Sequence, residues 1–196
     1  AERLADLLIE VTKGKADLQR RVRLELSAHQ GADDVARDIR KRYASIRQAK
    51  GYLSRKTHRT FAKEVRSVIA LTETSVAPSD PNSAFDLLWE LLHLGPGILA
   101  RTKDHSEILA DVFAEAMDAV ERLSPTVTLD TTTFADTVFE TLHDDRSGVF
   151  DGTVPALMPA LGPAGLARVS ERVIAARNAA GRRHGPAFAR LGSILR

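Results

Sequence analysis

Apolar residues recur along this chain at steps of three and four residues, which is the spacing of one face of an α-helix. No segment shows the alternation of apolar and polar residues that is typical of a half-buried β-strand. The helical pattern is clearest in three sets, which are Leu4, Leu7, Leu8 and Val11; Phe61, Val65, Val68 and Ile69; and Ile108, Val112, Ala116 and Val120. The pattern predicts an all-α protein.

Proline, glycine and capping residues divide this pattern into about ten predicted helices. We expect them over residues 2–12, 16–30, 33–53, about 57–76, 81–94, 106–123, 130–142 and 154–161, and from residues 163 and 186 onwards. The clearest boundary is at Asp80 and Pro81, because aspartate caps helices and proline favours their first position.

Two helix boundaries carry further expectations. Between the third and fourth helices, we favour a break near residues 54–57 over one long bent helix. The helix from Pro81 has apolar residues around most of its circumference, so we expect it to be the most buried element. The glycine, proline and glycine at residues 95–97 are expected to end it.

Short links between successive helices favour antiparallel neighbours. Hairpins would begin near residues 1, 33, 81, 130 and 163, at spacings of 32, 48, 49 and 33 residues, so a fixed repeat is absent. We therefore expect antiparallel hairpins in either a solenoid-like right-handed stack or an irregular helical bundle. Residues 1–196 are expected to form a single domain, cut from a longer chain because the sequence starts without methionine and stops within a helical pattern.

Charge is distributed unevenly, although the formal total is only +2. Residues 1–66 carry 17 Lys and Arg against 9 Asp and Glu, a net +8; residues 67–168 carry 5 against 16, a net −11; and residues 169–196 carry 6 against 1, a net +5. The part before residue 76 is therefore basic, and the part from 80 to 196 changes from acidic to basic. This partition favours either an anionic partner or charged faces that complement one another within the fold or between copies.

The composition excludes several kinds of chemistry. Without cysteine, the chain has no disulfide, thiolate nucleophile or sulfur-ligated zinc. No two histidines share the four-residue spacing of helical metal ligands, and the Asp-rich segment at residues 143–152 departs from a calcium-binding loop, so it is interpreted as a turn. We predict no catalytic residue, metal or cofactor. No apolar run reaches the ~20 residues that span a bilayer, so we expect a cytoplasmic protein without membrane contact.

Basic residues of the predicted helix at residues 33–53 are the candidate interaction residues. Four share the side away from its apolar residues and would form a basic stripe: Arg37, Arg40, Lys41 and Arg47. The stripe could contact phosphates or an acidic protein, although a solvated helix face is the commoner explanation. Arg42 lies near the apolar side, one turn after Asp38, which predicts a partly buried ion pair. A ligand-binding arginine in a groove is the alternative.

Three segments carry a resemblance to a known family: residues 40–52 (RKRYASIRQAKGY), 80–92 (DPNSAFDLLWELL) and 150–169 (FDGTVPALMPALGPAGLARV). Together they resemble an uncharacterised bacterial helical family, a domain of unknown function. The resemblance implies helical hairpins similar to tetratricopeptide and HEAT-type stacks. It carries over no activity, cofactor or functional residue.

The sequence favours a non-enzymatic helical scaffold or protein-interaction module with a protein or peptide partner. One alternative is nucleic-acid binding through the basic first third of the chain. Another is a ligand-binding or enzymatic domain with a groove around Arg42. The sequence pattern predicts no particular oligomeric state.

Overall fold

The computed structural model describes residues 10–15, 18, 19, 22, 31–102 and 107–180, and six α-helices follow one another within residues 31–102 and 107–180. They are α1 (Ala32–Gln48), α2 (Arg55–Leu71), α3 (Pro81–Leu99), α4 (Glu107–Leu123), α5 (Thr131–Asp144) and α6 (Thr153–Ala180). A π-helical turn at Thr72–Val76 follows α2, and a 3-10 turn at Ser124–Thr126 follows α4. The described residues contain no β-strand, so the predicted all-α class is confirmed.

Most helix boundaries in residues 31–144 follow local signals in the sequence. Asp80 caps α3 by accepting a hydrogen bond from the backbone N–H of Ser83 at 2.9 Å, and Pro81 takes the first helical position. Asp130 caps α5 in the same way. A break between α1 and α2 is confirmed, but it lies at residues 49–54 and not at 54–57, because α1 already ends at Gln48 and α2 begins at Arg55. The helices predicted over residues 2–12 and 16–30, and from residue 186, lie largely or wholly outside the described residues.

The predicted end of α3 at residues 95–97 is wrong, since the helix continues to Leu99. Pro96 lacks an N–H and therefore removes one hydrogen bond, to the carbonyl four residues earlier, which the last turn of a well-packed helix tolerates. Gly95 serves packing instead of termination. A Cβ atom at Gly95 would lie 2.9 Å from a methyl carbon of Val149, so glycine lets the segment after α5 approach the backbone of α3.

α6 is kinked at Gly162, which has φ 57° and ψ −175°. Only glycine adopts this combination readily, and Pro163 follows it. The helices expected over residues 154–161 and from Pro163 are therefore two parts of α6 joined at the kink. We refer to residues 153–161 as the first part of α6 and to residues 163–180 as its second part.

Contacts between α1 and α3 show that these helices run parallel. Arg40 of α1 donates to the hydroxyl of Ser83 in α3, and seven residues further along each helix Arg47 donates to Glu90. Helices α3 and α5 are related in the same way. The ring of Phe85 contacts that of Phe134, and later in both helices a His93 nitrogen contacts a hydroxyl of α5.

The intervening helices also run parallel to one another. From α2 into its π-helical turn, Arg66 and Glu73 pair with Glu115 and Arg122 of α4, again in the same order along both segments. The first part of α6 runs parallel to α4 and its 3-10 turn, because Thr153 contacts Met117 and Ala160 contacts Ser124, in the same order along both segments. The second part of α6 runs parallel to α5, because Arg168 pairs with Asp136 and the next turns of both helices are also paired. Alternate helices thus form two rows: α1, α3, α5 and the second part of α6; and α2, α4 and the first part of α6.

The hydrophobic core is continuous across all six helices. α3 contributes nine buried residues, against seven in α4. Its Leu87, Leu88, Leu91 and Leu92 are at most 1% exposed. Burial of each such side chain contributes about 1.5–3 kcal/mol. These values confirm that α3 is the most buried helix among the six. None of the helices in the described ranges is both long and apolar enough to cross a membrane.

Candidate functional site

Two members of the predicted basic stripe form ion pairs within α1. A guanidinium nitrogen of Arg37 lies 2.5 Å from a carboxylate oxygen of Asp34, and Nζ of Lys41 lies 2.9 Å from a carboxylate oxygen of Asp38. Both cationic side chains are exposed, so these pairs contribute about 0–1 kcal/mol each. They nevertheless reduce the net positive charge of this part of the stripe to zero.

The other two members of the stripe reach across to α3. Arg47 pairs with Glu90 at 2.6 Å, and Arg40 donates a long hydrogen bond of 3.4 Å to Ser83. Between them, Tyr43 is fully buried, and this burial raises the pKa of its hydroxyl far above the usual value. The stripe is therefore partly a contact between α1 and α3.

Arg42 forms a partly buried ion pair, but with a partner other than Asp38. Its guanidinium donates through Nε and Nη2 to the two carboxylate oxygens of Glu64 in α2, the second bond measuring 3.0 Å. The side chains of Arg42 and Glu64 are 17% and 10% exposed. Such a bidentate pair joins α1 to α2 with defined geometry. Local spacing could not identify Glu64, because it lies 22 residues away on another helix.

Two more pairs connect the segment from α2 into its π-helical turn with α4. Arg66 donates to both carboxylate oxygens of Glu115, with contacts down to 2.6 Å, and Arg122 donates to Glu73 at 2.8 Å. The hydrogen bond from Arg66 holds the pKa of the Glu115 carboxyl below its usual value. We call four contacts the cross-helix ion pairs: Arg42 with Glu64, Arg47 with Glu90, Arg66 with Glu115, and Arg122 with Glu73.

A cleft of about 850 Å³ lies where the C-terminal ends of α3 and α5 meet the start of α4 and the segment at residues 145–150. Its apolar lining consists of Pro96, Leu99, Ala100, Ala110 and Phe150. Phe150 is 3% exposed and belongs to the core. The cleft therefore has an apolar floor that is continuous with the interior.

Carboxylates dominate the charged groups of this cleft: Glu107, Glu140, Asp144 and Asp145. Glu140 accepts a hydrogen bond from Arg172 of α6, and Asp145 accepts from the backbone N–H groups of Ser147 and Gly148 at 2.9 and 3.0 Å. Glu107 and Asp144 have no hydrogen bond or ion pair with any other residue of the described part. The expected Asp-rich turn after α5 is confirmed, but the carboxylate of Asp144 beside it was not recognised as part of a cleft.

Arg146 is the single arginine or lysine among the described lining residues. Its guanidinium donates to the backbone carbonyls of His143 and Asp145 at 3.2 and 3.3 Å. These bonds cap the end of α5 and hold the guanidinium at the backbone. The described lining residues of the cleft therefore carry an excess of negative charge.

An aromatic group borders the cleft. Nδ1 of His93 lies 2.9 Å from the carbonyl oxygen of Trp89, so it carries the proton, and Nε2 lies 3.2 Å from the hydroxyl of Thr141. The imidazole centroid is 4.9 Å from that of Phe150 and 5.1 Å from that of Trp89. Trp89 is the only tryptophan of the chain, so its fluorescence reports on this region.

A family model described as "Family of unknown function (DUF6880)" matches residues 1–191. The chain belongs to this family. No curated protein and no solved structure matches the chain. The resemblance to an uncharacterised family is thus confirmed, and all six helices of this DUF6880 protein lie within the matched residues.

Among the described residues, the charged groups that line the cleft of this DUF6880 protein are four carboxylates and the guanidinium of Arg146. Within residues 31–102 and 107–180, no group of carboxylates and histidines is arranged to hold a metal ion. The hydroxyl of Ser147 donates to Asp145 at 2.6 Å, whereas His93 bonds to other groups, so these three do not form a nucleophile and base arrangement. The C-terminal ends of α3 and α5 add negative partial charge beside the carboxylates.

Proposed function

We propose that this DUF6880 chain is a non-enzymatic helical scaffold that binds a protein or peptide partner. The observation that supports it is the parallel course of alternate helices in two rows. Stacked antiparallel hairpins produce this pattern, because each hairpin lays its two helices beside the corresponding helices of the previous one. Tetratricopeptide and HEAT-type proteins are built in this way, and their stacks expose extended binding surfaces.

The positions of the helix starts support the same proposal. The helices of the first row begin at Ala32, Pro81, Thr131 and, after the kink, at Pro163. Each start is followed by a return helix, except that the second part of α6 is the last described element. Three of the cross-helix ion pairs join successive hairpins: Arg47 with Glu90, Arg66 with Glu115, and Arg122 with Glu73. They hold these hairpins in register, which suits a rigid scaffold.

The test uses the full chain as bait in a cell extract, followed by expression and purification of each protein that is recovered. We expect at least one purified protein to bind the chain directly and with defined stoichiometry in isothermal titration calorimetry, and to do so after nuclease treatment. The Arg37→Gln/Lys41→Gln variant is the matched probe for nucleic-acid binding, because both side chains are exposed. Its affinity for the protein partner should equal that of the wild type.

Two results would overturn the scaffold proposal. One is binding that disappears with nuclease and whose salt dependence weakens in the Arg37→Gln/Lys41→Gln variant, which would indicate nucleic acid as the partner. The other is turnover of a compound from a metabolite library by the purified chain while no purified protein binds to it.

A further inference from the structure

We infer that the cleft between α3, α4, α5 and residues 145–150 binds a lysine or arginine side chain from a partly apolar peptide segment. This inference rests on the proposed function and adds the site and the chemistry of the partner. Size, apolar floor, charge and aromatic border support it, and each comes from a separate observation.

The size and floor of the cleft suit a peptide segment. Its volume of about 850 Å³ lies within the range of roughly 300–1,000 Å³ found for ligand sites. The half-buried side chains of Leu99 and Pro96 can pack against an apolar side chain or the alkyl stem of lysine or arginine. The cleft is open to solvent, so it can admit side chains of a longer chain.

The charge of the cleft selects a cationic partner. Of the four carboxylates among the described lining residues, Glu140 pairs with Arg172, and the other three lie beside one arginine that is bound to backbone carbonyls. Elsewhere, carboxylates such as Glu64, Glu90 and Glu115 already have an arginine from a neighbouring helix. Glu107 and Asp144 have no such partner among the described residues and are exposed at the cleft. A guanidinium or ammonium group of a bound peptide would supply the missing positive partner.

The location of Asp144 is unfavourable for the helix alone. It occupies the last position of α5, where the negative end of the helix dipole repels a carboxylate. Asp145 follows it directly and serves as a turn residue, whereas Asp144 makes no such contact in the described structure. A residue that opposes its own helix is better explained by binding than by folding.

The aromatic border adds a second attraction for cations. The exposed ring of His93 lies at the cleft, and the rings of the buried Phe150 and of Trp89 pack against it. A cation held near the face of an aromatic ring is stabilised by the ring quadrupole, and a guanidinium can also stack on it. The imidazole of His93 and the carboxylates can therefore contact different sides of one guanidinium group.

The test titrates a short peptide of alternating leucine and arginine into the full chain and follows the emission of Trp89 together with calorimetry. Two matched peptides replace arginine by uncharged citrulline or by glutamate. We expect saturable binding of the arginine peptide and no binding of the glutamate peptide. The affinity of the citrulline peptide should be at least about tenfold lower than that of the arginine peptide. Arginine methyl ester alone should bind far more weakly than the arginine peptide.

Variants locate the binding site. Glu107→Gln/Asp144→Asn should lower the affinity for the arginine peptide roughly tenfold. The control Asp118→Asn/Glu121→Gln removes the same charge from exposed positions, with Asp118 about 16 Å from Glu107 along α4. The control should bind as the wild type does. Far-UV circular dichroism verifies folding, and if the cleft variant failed to fold, the peptide series on the wild type would decide.

Several outcomes would overturn the inference. They are equal affinity for the arginine and citrulline peptides, equal loss in both double variants, or binding of arginine methyl ester as tight as that of the peptide. A protein partner from the extract that bound Glu107→Gln/Asp144→Asn as tightly as wild type would reject this site while leaving the scaffold proposal intact. Absence of any direct protein partner would instead reject the scaffold proposal.

Discussion

Carboxylates have opposite roles in two regions of this molecule. In the cross-helix ion pairs, each carboxylate faces an arginine from another element, as when Arg42 donates two hydrogen bonds to Glu64. At the cleft, carboxylates outnumber arginine four to one, and Glu107 and Asp144 have no partner in the described structure. The comparison distinguishes carboxylates that connect helices through ion pairs from carboxylates that are available to bind a partner.

The charge partition along the chain acquires a structural explanation from the first region. Arg47 and Arg66 belong to the basic first part of the sequence, and their partners Glu90 and Glu115 belong to the acidic middle. Part of the asymmetry is therefore neutralised between neighbouring helices. At the cleft, Glu140 is neutralised in the same way by Arg172, whereas Glu107 and Asp144 have no such partner among the described residues. The charge of these two carboxylates is what an outside partner would meet.

The largest effect should come from breaking the most buried ion pair. Arg42→Ala removes the guanidinium from Glu64, whose side chain is 10% exposed. The cost lies between that of a fully buried pair and that of an exposed pair, at about 2–3 kcal/mol of unfolding free energy. Urea unfolding followed by circular dichroism measures it.

A second variant distinguishes charge from packing at the same position. Arg42→Met/Glu64→Leu replaces both partners by apolar side chains of similar size and should recover most of the lost stability. An Arg42→Ala change of less than about 0.5 kcal/mol would mean that this pair behaves like an exposed one, and the contrast with the cleft would weaken.

The exposed cross-helix ion pairs should contribute less. Arg66→Ala/Arg122→Ala removes both ion pairs between α4 and the segment from α2 into its π-helical turn, and we expect a loss of about 0.4–2 kcal/mol of unfolding free energy at low salt. Because the side chains of Arg66 and Arg122 are 43% and 57% exposed, the loss should shrink as salt is added. A loss that is equal at low and high ionic strength would point to packing of the arginine stems.

Acid should reveal the Glu115 contact. Arg66 holds the pKa of Glu115 below its usual value, so the contact stabilises the fold above the unfolded-state pKa of about 4.3. The stabilisation is lost as the pH falls through the lower pKa of the folded state. Glu115→Gln should therefore be less stable than wild type at pH 7, with a smaller difference at pH 3, in urea titrations at both values. A difference that stays constant would exclude this pKa as its cause.

Local signals account for the parts of the fold that the sequence predicted. Capping by Asp80 and Asp130 depends on residues within one turn, and these helix starts were found. Gly95 within α3 packs against Val149, more than fifty residues later, so no local pattern showed that this glycine serves packing and not helix termination. The partner of Arg42 was missed for the same reason.

The cleft could not be predicted without the tertiary structure. Its lining comes from the ends of three helices and the segment after α5, between His93 and Phe150. The sequence did show the acidic residues after α5, and their turn was predicted correctly, because Asp145 bonds to backbone N–H groups nearby. In the sequence, nothing distinguishes the neighbouring Asp144 from Asp145. Only the fold separates a carboxylate that builds the turn from one that faces the cleft.

The smallest expected effects are changes in unfolding free energy on neutralising single carboxylates of the cleft. The sign of each change is more informative than its size. Asp144→Asn removes a negative charge from the C-terminal end of α5 and should raise the unfolding free energy by about 0.3–1 kcal/mol, while Glu107→Gln, in the first turn of α4, should lower it by a similar amount. Urea unfolding of both single variants measures the two signs. Destabilisation by Asp144→Asn would show that the Asp144 carboxylate supports the fold, and its assignment to binding would lose its basis. A gain in stability together with weaker peptide binding would instead identify Asp144 as a residue retained at the expense of helix stability.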